Sequence, residues 1–334
     1  MKKVSVCVYC LAYNHEKYIR KTLDGFINQT TNFKYTCIVH DDASTDNTAN
    51  IIREYEARYP DIIIGVYQKE NKYSKNINVI KEFIAPLIDS EYVAVCEGDD
   101  YWTDEKKLQI QYDTMKKNKN CFFCVHKTKE VFEDEFPTGT FYPSKDIKEG
   151  FLGIESLLEG GYSFHTSSYM FEANLWKEYT ISPPLFRQLC DVGDVPYMLY
   201  FIYAGDVFFI DKEMSCYRRG AKSSWSFKRA KLKEKAFLND LKSHSKKIFD
   251  TYEEYNKYTN FKYDAIIKSR NANYILQYLT LSLKCRDLFS KNFYVYFQYL
   301  NYSRKIFTLM SIIFPRLMRY LYMKRIRMLN KQKM

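Results

Sequence analysis

Apolar and polar positions alternate in blocks along the first third of the chain. "VSVCVYCLAY" is β-rich, "EKYIRKTLDGFINQ" repeats its apolar positions at helical spacing, and "YTCIVHDD" is again strand-like. "STDNTANIIREYEARY" then places capping residues ahead of another helix. "IIIGVY", "NVIKEFIAPLI", "YVAVCEGDD" and "TDEKKLQIQYDTMKK" continue the alternation. Such repetition implies right-handed crossovers and a mainly parallel sheet with helices on both faces, an α/β fold. Ligands of such sheets bind beyond the carboxyl ends of the strands. Two acidic clusters fall there. Asp41 and Asp42 close one predicted strand, and Glu97, Asp99 and Asp100 close another in "CEGDDYW".

Between Cys121 and Lys228 the pattern is less regular, with a Pro- and Gly-containing loop, short aromatic segments such as "GYSFHTSSYMF", and "DVGDVPYMLYFIYAGDVFFID". From Arg229 the spacing becomes that of long helices. The expected organisation is one α/β domain over residues 1–228, in halves 1–120 and 121–228, followed by an α-helical region over 229–334.

Clustered carboxylates at the end of an apolar strand repel one another and call for positive charge nearby. Glu97 and Asp99 lie two residues apart, so if strand geometry persists they leave the same face and can share one divalent ion. Hard oxygen donors favour Mg²⁺ or Mn²⁺, which keep positions open for phosphate oxygens. An alternative stays open: "DDYWTDEKK" can simply start a helix, with Asp at its positive end and Thr103, Lys106 and Lys107 in an exposed first turn. "DDASTD" can likewise be a loop and helix cap.

Charge divides the chain. The net charge is +11, yet residues up to Lys228 carry 28 basic and 33 acidic side chains, a net of −5, while the rest carries 23 and 7, a net of +16. No acidic residue follows Asp287. "FPRLMRYLYMKRIRMLNKQK" pairs apolar and basic residues at near-helical spacing, which suits a helix lying on an anionic bilayer; a core helix with a solvated basic face fits equally. Nucleic acid is not expected, since no recognition motif accompanies the charge.

With 46% hydrophobic residues the chain can fill a real core. Its nine cysteines are scattered, and "CFFC" has no second pair at zinc spacing, so strand packing and reduced cytosolic thiols are expected. "MKKVSVCVYCLAYNHEK" is broken by Asn14 to Lys17 and is expected to remain as a strand, not a signal peptide. No window of ~20 uncharged apolar residues predicts a spanning helix.

"YNHEKYI", "HDDASTDNT" and "CEGDDYWTDEKKLQIQ", in that order, resemble the N-terminal half of inverting family 2 glycosyltransferases, especially those building bacterial capsular or lipopolysaccharide glycans. The resemblance is strong over Val4 to Lys117 and weak beyond Trp225. It implies the GT-A nucleotide-sugar-binding fold, with a donor half over 1–120 and an acceptor half over 121–228. By it, Asp41 and Asp42 would meet the nucleobase and ribose of the donor, uridine by default, and Leu11, Ala12 and Tyr13 would flank the base; Leu11 stands where the family usually has proline. Glu97, Gly98 and Asp99 would form the metal motif, Asp99 as the direct ligand, with Asp100 and Trp102 towards the acceptor. Asp194 would be the base that takes the acceptor's proton, with Gly193 where Glu is common and Asp191 as the alternative. Arg218 and Arg219 in "CYRRGAKSSW" would clamp phosphate oxygens, Arg219 replacing an expected His. His165 in "FHTSS" matches an acceptor-side segment.

The implied activity is inverting transfer of a sugar from a nucleoside diphosphate to a glycan or lipid-linked hydroxyl, assisted by Mn²⁺ or Mg²⁺. The implied location is cytoplasmic, with attachment to the inner membrane face left open. Two other classes stay in view. A sugar-1-phosphate nucleotidyltransferase would need a Gly- and Arg/Lys-rich signature after the first strand, which "CLAYNHEKY" lacks. A non-catalytic nucleic-acid- or membrane-binding scaffold would use the basic tail alone.

Overall fold

β1 (Val6–Ala12) is almost wholly buried on both faces, as suits the interior of a parallel sheet. It pairs in parallel with β2 (Tyr35–Asp41), which in turn pairs with β3 (Ile63–Tyr67). On its other side lies β4 (Tyr92–Val95), also parallel. The remaining strands are β5 (Tyr101–Trp102), β6 (Cys121–Val131), β7 (Pro137–Tyr142), β8 (Gly150–Leu152), β9 (Met170–Glu172) and β10 (Asp206–Arg218). The order is β3-β2-β1-β4-β9-β6-β10-β5, with β7 beside β6 and β8 beside β10. The half built on β1 to β4 is parallel throughout; beyond it, β9 runs antiparallel to both β4 and β6, and β10 runs parallel to β6. This computed structural model describes residues 4–144, 146–160, 163–220, 229 and 231–331. Part of "CYRRGAKSSW", from Ala221 on, therefore lies outside the described residues.

Helices cover both faces of the sheet. α1 (Ile19–Ile27), α2 (Thr48–Arg58) and α3 (Lys107–Lys117) share a core with Val6, Val8, Cys10 and Ala12 of β1. In α1, Ile19, Leu23 and Phe26 recur at helical spacing and are fully buried, each contributing about 1.5–3 kcal/mol. On the opposite face Tyr9 meets Trp176, 5.4 Å away, from the later helix Ala173–Ile181. "NVIKEFIAPLI" is not an α-helix: a π-type turn over Ile80–Ile84 passes into a 3₁₀ turn over Ala85–Leu87. Pro86, which has no N–H to donate, suits such an interruption.

The exposed first turn expected around Lys107 is corrected. Lys107 is fully buried, its Nζ has no hydrogen-bond partner, and it lies 4.0 Å from the Trp102 ring centroid. Charge in the sequence suggested solvent, but position 107 shares the inward face of α3 with Leu108, Gln111 and Met115. The cysteines behave as packing residues: all nine are buried and free, Cys121 and Cys124 within β6.

The chain divides into two compact units. The first holds the sheet and comprises residues 1–153, 162–183 and 200–223. The second comprises 154–161, 184–199 and 224–334, so two short segments from the predicted acceptor half group with the C-terminal helices. With Ala173–Ile181 as α5, the elements outside the sheet continue as α4 (Ile154–Gly160), α6 (Leu185–Leu189), α7 (Asp194–Ala204), α8 (Glu234–Tyr258), α9 (Asp264–Ser282), α10 (Tyr294–Tyr299), α11 (Tyr302–Ile313) and α12 (Pro315–Lys331). Phe249 of α8, Ile275 and Leu279 of α9 and Tyr296 of α10 form one core of the second unit. Among the described residues no helix is long and apolar enough to cross a membrane.

Burial pushes the Lys107 amine down to about 7 from an ordinary 10.5. A cation disfavoured by folding makes stability rise as pH climbs from about 7 towards 10.5 and leaves a full penalty below that window. Lys107→Met is therefore expected to stabilise the protein by about 1–3 kcal/mol at pH 7 and to flatten this rise. Urea unfolding at several pH values checks both effects.

Candidate functional site

Because β1 runs between β2 and β4, the two acidic strand ends emerge on either side of the chain leaving β1. Ala12 is in register with Asp41, and its carbonyl accepts the Asp42 N–H at 3.0 Å. On the other side the Leu11 carbonyl accepts the Gly98 N–H at 3.0 Å. Leu11 to Tyr13 is thus the bridge between the clusters. Beyond it, Asn14 takes a left-handed conformation, φ 56°, its amide oxygen accepting the Thr45 N–H at 2.8 Å. The His15 N–H donates to Thr48 Oγ1 at 2.7 Å. These bonds tie the start of α1 to the loop that follows Asp42.

The paired aspartates differ in what they have left to offer. Both oxygens of Asp42 are taken by backbone donors, Lys72 N–H at 2.8 Å and Tyr73 N–H at 3.0 Å, so Asp42 folds the loop after β3 onto the site. Asp41 Oδ2 accepts from the Ser44 N–H at 3.2 Å, while its Oδ1 is buried without a partner. An acceptor left open in the interior is costly unless another donor meets it.

In the second cluster the strand does not persist, since β4 ends at Val95. A tight turn follows instead, closed by the Asp100 N–H donating to the Glu97 carbonyl at 3.1 Å. The shared-strand-face argument is corrected on that point, yet Glu97 and Asp99 still interact through charge. Burial and then the Asp99 charge push Glu97 up to about 8. Asp100 is likewise raised well above the ordinary carboxylate range, by burial first and then by Asp99. Thr22 of α1 holds the turn by donating one hydroxyl to the carbonyls of Gly98, 3.1 Å, and Asp100, 2.6 Å. A Cβ at Gly98 would lie 2.7 Å from His15 Nδ1 and 3.1 Å from the Leu11 carbonyl oxygen. His15 Nε2 stands 3.9 Å from Asp99 Oδ2, and its Nδ1 is buried without a partner.

Arg218, at the end of β10, supplies positive charge. Its N–H donates to Asp100 Oδ1 at 2.8 Å and its Nε to the Asp99 carbonyl at 3.1 Å, while Nη1 reaches Glu135 Oε1 at 3.2 Å. Arg219 pairs with Glu130 at 2.9 Å. Both guanidinium groups are thus already engaged by carboxylates. Trp102 is buried, its indole N–H donating to the Ser167 carbonyl at 3.0 Å. His165 stacks on Tyr217 at 4.2 Å and lies 3.7 Å from Asp100 Oδ2; burial drives it down to about 3, so it is neutral. Among the described residues no group of three or more His, Cys, Asp or Glu is arranged to hold a metal unaided.

Asp191 and Asp194 belong to the second unit, where their surroundings separate them. Asp191 Oδ1 contacts His244 Nδ1 at 2.9 Å, and Lys247 lies 3.9 Å from Oδ2. Burial acts upward on Asp191, but the His244 bond and these charges outweigh it and hold the carboxyl low. Asp194 accepts the Val195 N–H at 2.9 Å, and burial raises it above the ordinary range. The sequence reading passed over His15, Thr22, Glu135 and His244. His15 was visible inside "YNHEKYI"; Thr22 and Glu135 carry no local signal, because their roles arise from contacts remote in the chain.

The model of the family described as "Glycosyl transferase family 2" matches residues 7–175. An uncharacterized protein of Mycobacterium tuberculosis is 32% identical over 222 residues, 65% of this chain and 60% of that one. The chain thus spans about 60% of the length of these curated relatives. The dTDP-rhamnosyl transferase RfbG of Shigella flexneri is 32% identical over 114 residues, covering 33% of this chain and 38% of that one. Among solved structures, S. aureus TarS in complex with UDP-GlcNAc superposes with a TM-score of 0.54 at 14% identity, over 99% of this chain and 91% of that chain. The mannosyltransferase PcManGT of Pyrobaculum calidifontis, in complex with GDP-Man and Mn²⁺, gives a TM-score of 0.50 at 12% identity, over 96% and 86%. At these identities the likeness concerns the fold, which is of the GT-A type.

Gly98→Ala forces a methyl group into His15 and the Leu11 carbonyl. It is expected to cost about 1–3 kcal/mol, read as a lowered midpoint in thermal unfolding. Ala substitution at the exposed Gly193, where a Cβ meets nothing within 4 Å, is the control and should change little.

Proposed function

The chain belongs to glycosyl transferase family 2, whose model takes in half of its residues, and we propose that it transfers a sugar from a nucleoside diphosphate to a hydroxyl of a bacterial surface polysaccharide or its lipid-linked precursor. The observation that carries this reading is the meeting, beside one central strand, of an open buried carboxylate oxygen on Asp41 with the mutually repelling Glu97 and Asp99. The first suits a neutral donor such as a ring N–H or ribose hydroxyl; the second suits a cation with phosphate. The similarity to a dTDP-rhamnosyl transferase and the UDP-GlcNAc and GDP-Man held by the structural neighbours are consistent with it. Uridine is taken as the base.

The acidic turn fits a divalent ion: two hard carboxylates crowd there, and burial with mutual charge leaves Glu97 short of positive partners. Asp99 and Glu97 would hold it. The chemistry that Mn²⁺ or Mg²⁺ would supply there is positive charge against the departing nucleoside diphosphate. The protein's own contribution begins with Asp41, which orients the nucleoside through Oδ1, and with the bridge at Leu11 to Tyr13, which flanks the base. Arg218 fixes the acidic turn through Asp99 and Asp100, and Arg219 is assigned to the diphosphate side. Asp100, Trp102 and His165 support the turn from within.

The acceptor hydroxyl becomes a nucleophile as its proton passes to a carboxylate. That base is assigned to Asp194. Its raised carboxyl is the better proton acceptor, whereas Asp191 is held low by its contact with His244. Attack on the anomeric carbon opposite the leaving diphosphate inverts its configuration.

A thermal-shift panel of UDP-, GDP- and dTDP-sugars with Mn²⁺, Mg²⁺ or chelator tests the assignment. A UDP-sugar with Mn²⁺ is expected to stabilise the protein, and Asp99→Asn to abolish the metal-dependent part; no shift with any nucleotide sugar would sink the reading. Asp194→Asn should retain the donor shift while transfer falls about 10²–10⁴-fold, measured as product formed on an acceptor glycan. Full activity in that variant would move the base to Asp191.

A further inference from the structure

α11 and α12 each carry two apolar faces. On α11, Phe307 and Ile312 pack inward beside the buried Thr308 and Ser311. Tyr302, Ile306, Leu309, Met310 and Ile313 recur at helical spacing and point outward, 38–80% exposed. On α12, Tyr322, Met323 and Ile326 pack with Phe237, Leu241 and Leu281. Leu317, Tyr320, Leu321 and Met328 form a second row, 46–59% exposed. Phe314, between the helices, is 49% exposed and joins the two rows.

A core helix with a solvated basic face would turn polar side chains outward. Here the outward rows are mostly aliphatic and aromatic, with the exposed Arg316 and Arg325 beside them and the exposed Lys324 between Leu321 and Met328 within the α12 row. An apolar surface of this extent marks an interaction site. Its charge selects the partner: from Leu288 to the end there are ten Lys and Arg and no Asp or Glu. A second copy would bring like charge against like. A nucleic acid would leave the Leu, Ile and Met row without an apolar medium. An anionic lipid surface satisfies both features, the apolar rows entering the acyl boundary and the cations meeting headgroups.

We propose that α11 and α12 dock the protein on the surface of a bilayer containing anionic lipid. The helices lie along the headgroup plane, in keeping with the absence of a spanning helix among the described residues. This goes beyond the glycosyl-transfer reading and does not depend on it.

The test is co-sedimentation of the full chain with vesicles, with no nucleotide sugar or acceptor present. Vesicles of phosphatidylcholine with phosphatidylglycerol should bind it; phosphatidylcholine alone should bind at least about ten-fold less, and about 0.5 M NaCl should release much of the bound protein. Two variants at exposed positions separate the contributions: Leu317→Ser with Leu321→Ser, and Arg316→Glu with Lys324→Glu and Arg325→Glu. Each should lower the bound fraction about ten-fold while circular dichroism stays that of the parent. Equal binding to neutral vesicles, no binding, or variants that bind like the parent would overturn the proposal. So would a concentration-dependent dimer, seen by sedimentation, that the Leu317 and Leu321 changes abolish.

Discussion

Everything at the sheet edge depends on crowding negative charge where water is scarce. Glu97 and Asp100 are pushed towards their neutral forms by burial and by Asp99, so the turn that holds them is electrostatically unfavourable by itself. It persists because the surroundings over-determine it. The Leu11 carbonyl and Thr22 hydroxyl hold its backbone, Arg218 grips Asp99 and Asp100, and the missing side chain at Gly98 lets His15 approach. Thr22 comes from α1 and Arg218 from β10, elements with little chemistry of their own. The folding energy of the sheet thus maintains an arrangement that a cation and a phosphate would relieve.

The same economy explains why two adjacent aspartates are not equivalent. Asp42 spends both oxygens on the backbone of the loop beyond β3, whereas Asp41, one residue earlier and still in β2, keeps an oxygen open in the interior. Asp191 and Asp194 repeat the division: one is tied to a histidine and a lysine, the other is raised by burial. In the first pair the engaged carboxylate shapes the chain while its neighbour keeps a buried acceptor open; in the second the engaged carboxylate is held low while burial raises its neighbour. An acceptor that folding leaves unsatisfied is the one still open to a ligand's donor.

The alternation of strand and helix over the first third was legible because β1, β2 and β4 are buried on both faces, and continuous apolar runs show through in any reading. The acidic ends were legible for the same reason, as charge directly after such runs. What could not be read depends on distant contacts. Nothing local distinguishes Lys107 from the exposed Lys106; only the Trp102 ring, placed by β5 pairing with β10, receives its stem and amine. Arg218 looked like a free phosphate clamp until Glu135 and the Asp99 carbonyl were placed beside it. The strand spacing of Glu97 and Asp99 predicted their association for a reason that does not hold, since a turn and not a strand brings them together.

The C-terminal helices invert this lesson. Their sequence pattern, apolar residues mixed with arginine and lysine, fits both a core helix and a surface helix, because hydrophobic periodicity tells which residues share a face but not what covers it. The structure adds burial. Since Met323 and Ile326 already fill the inner face of α12, the row from Leu317 to Met328 cannot be accounted for by the same core. Two apolar faces on one helix demand two apolar environments, and among the described residues only one of these faces is covered.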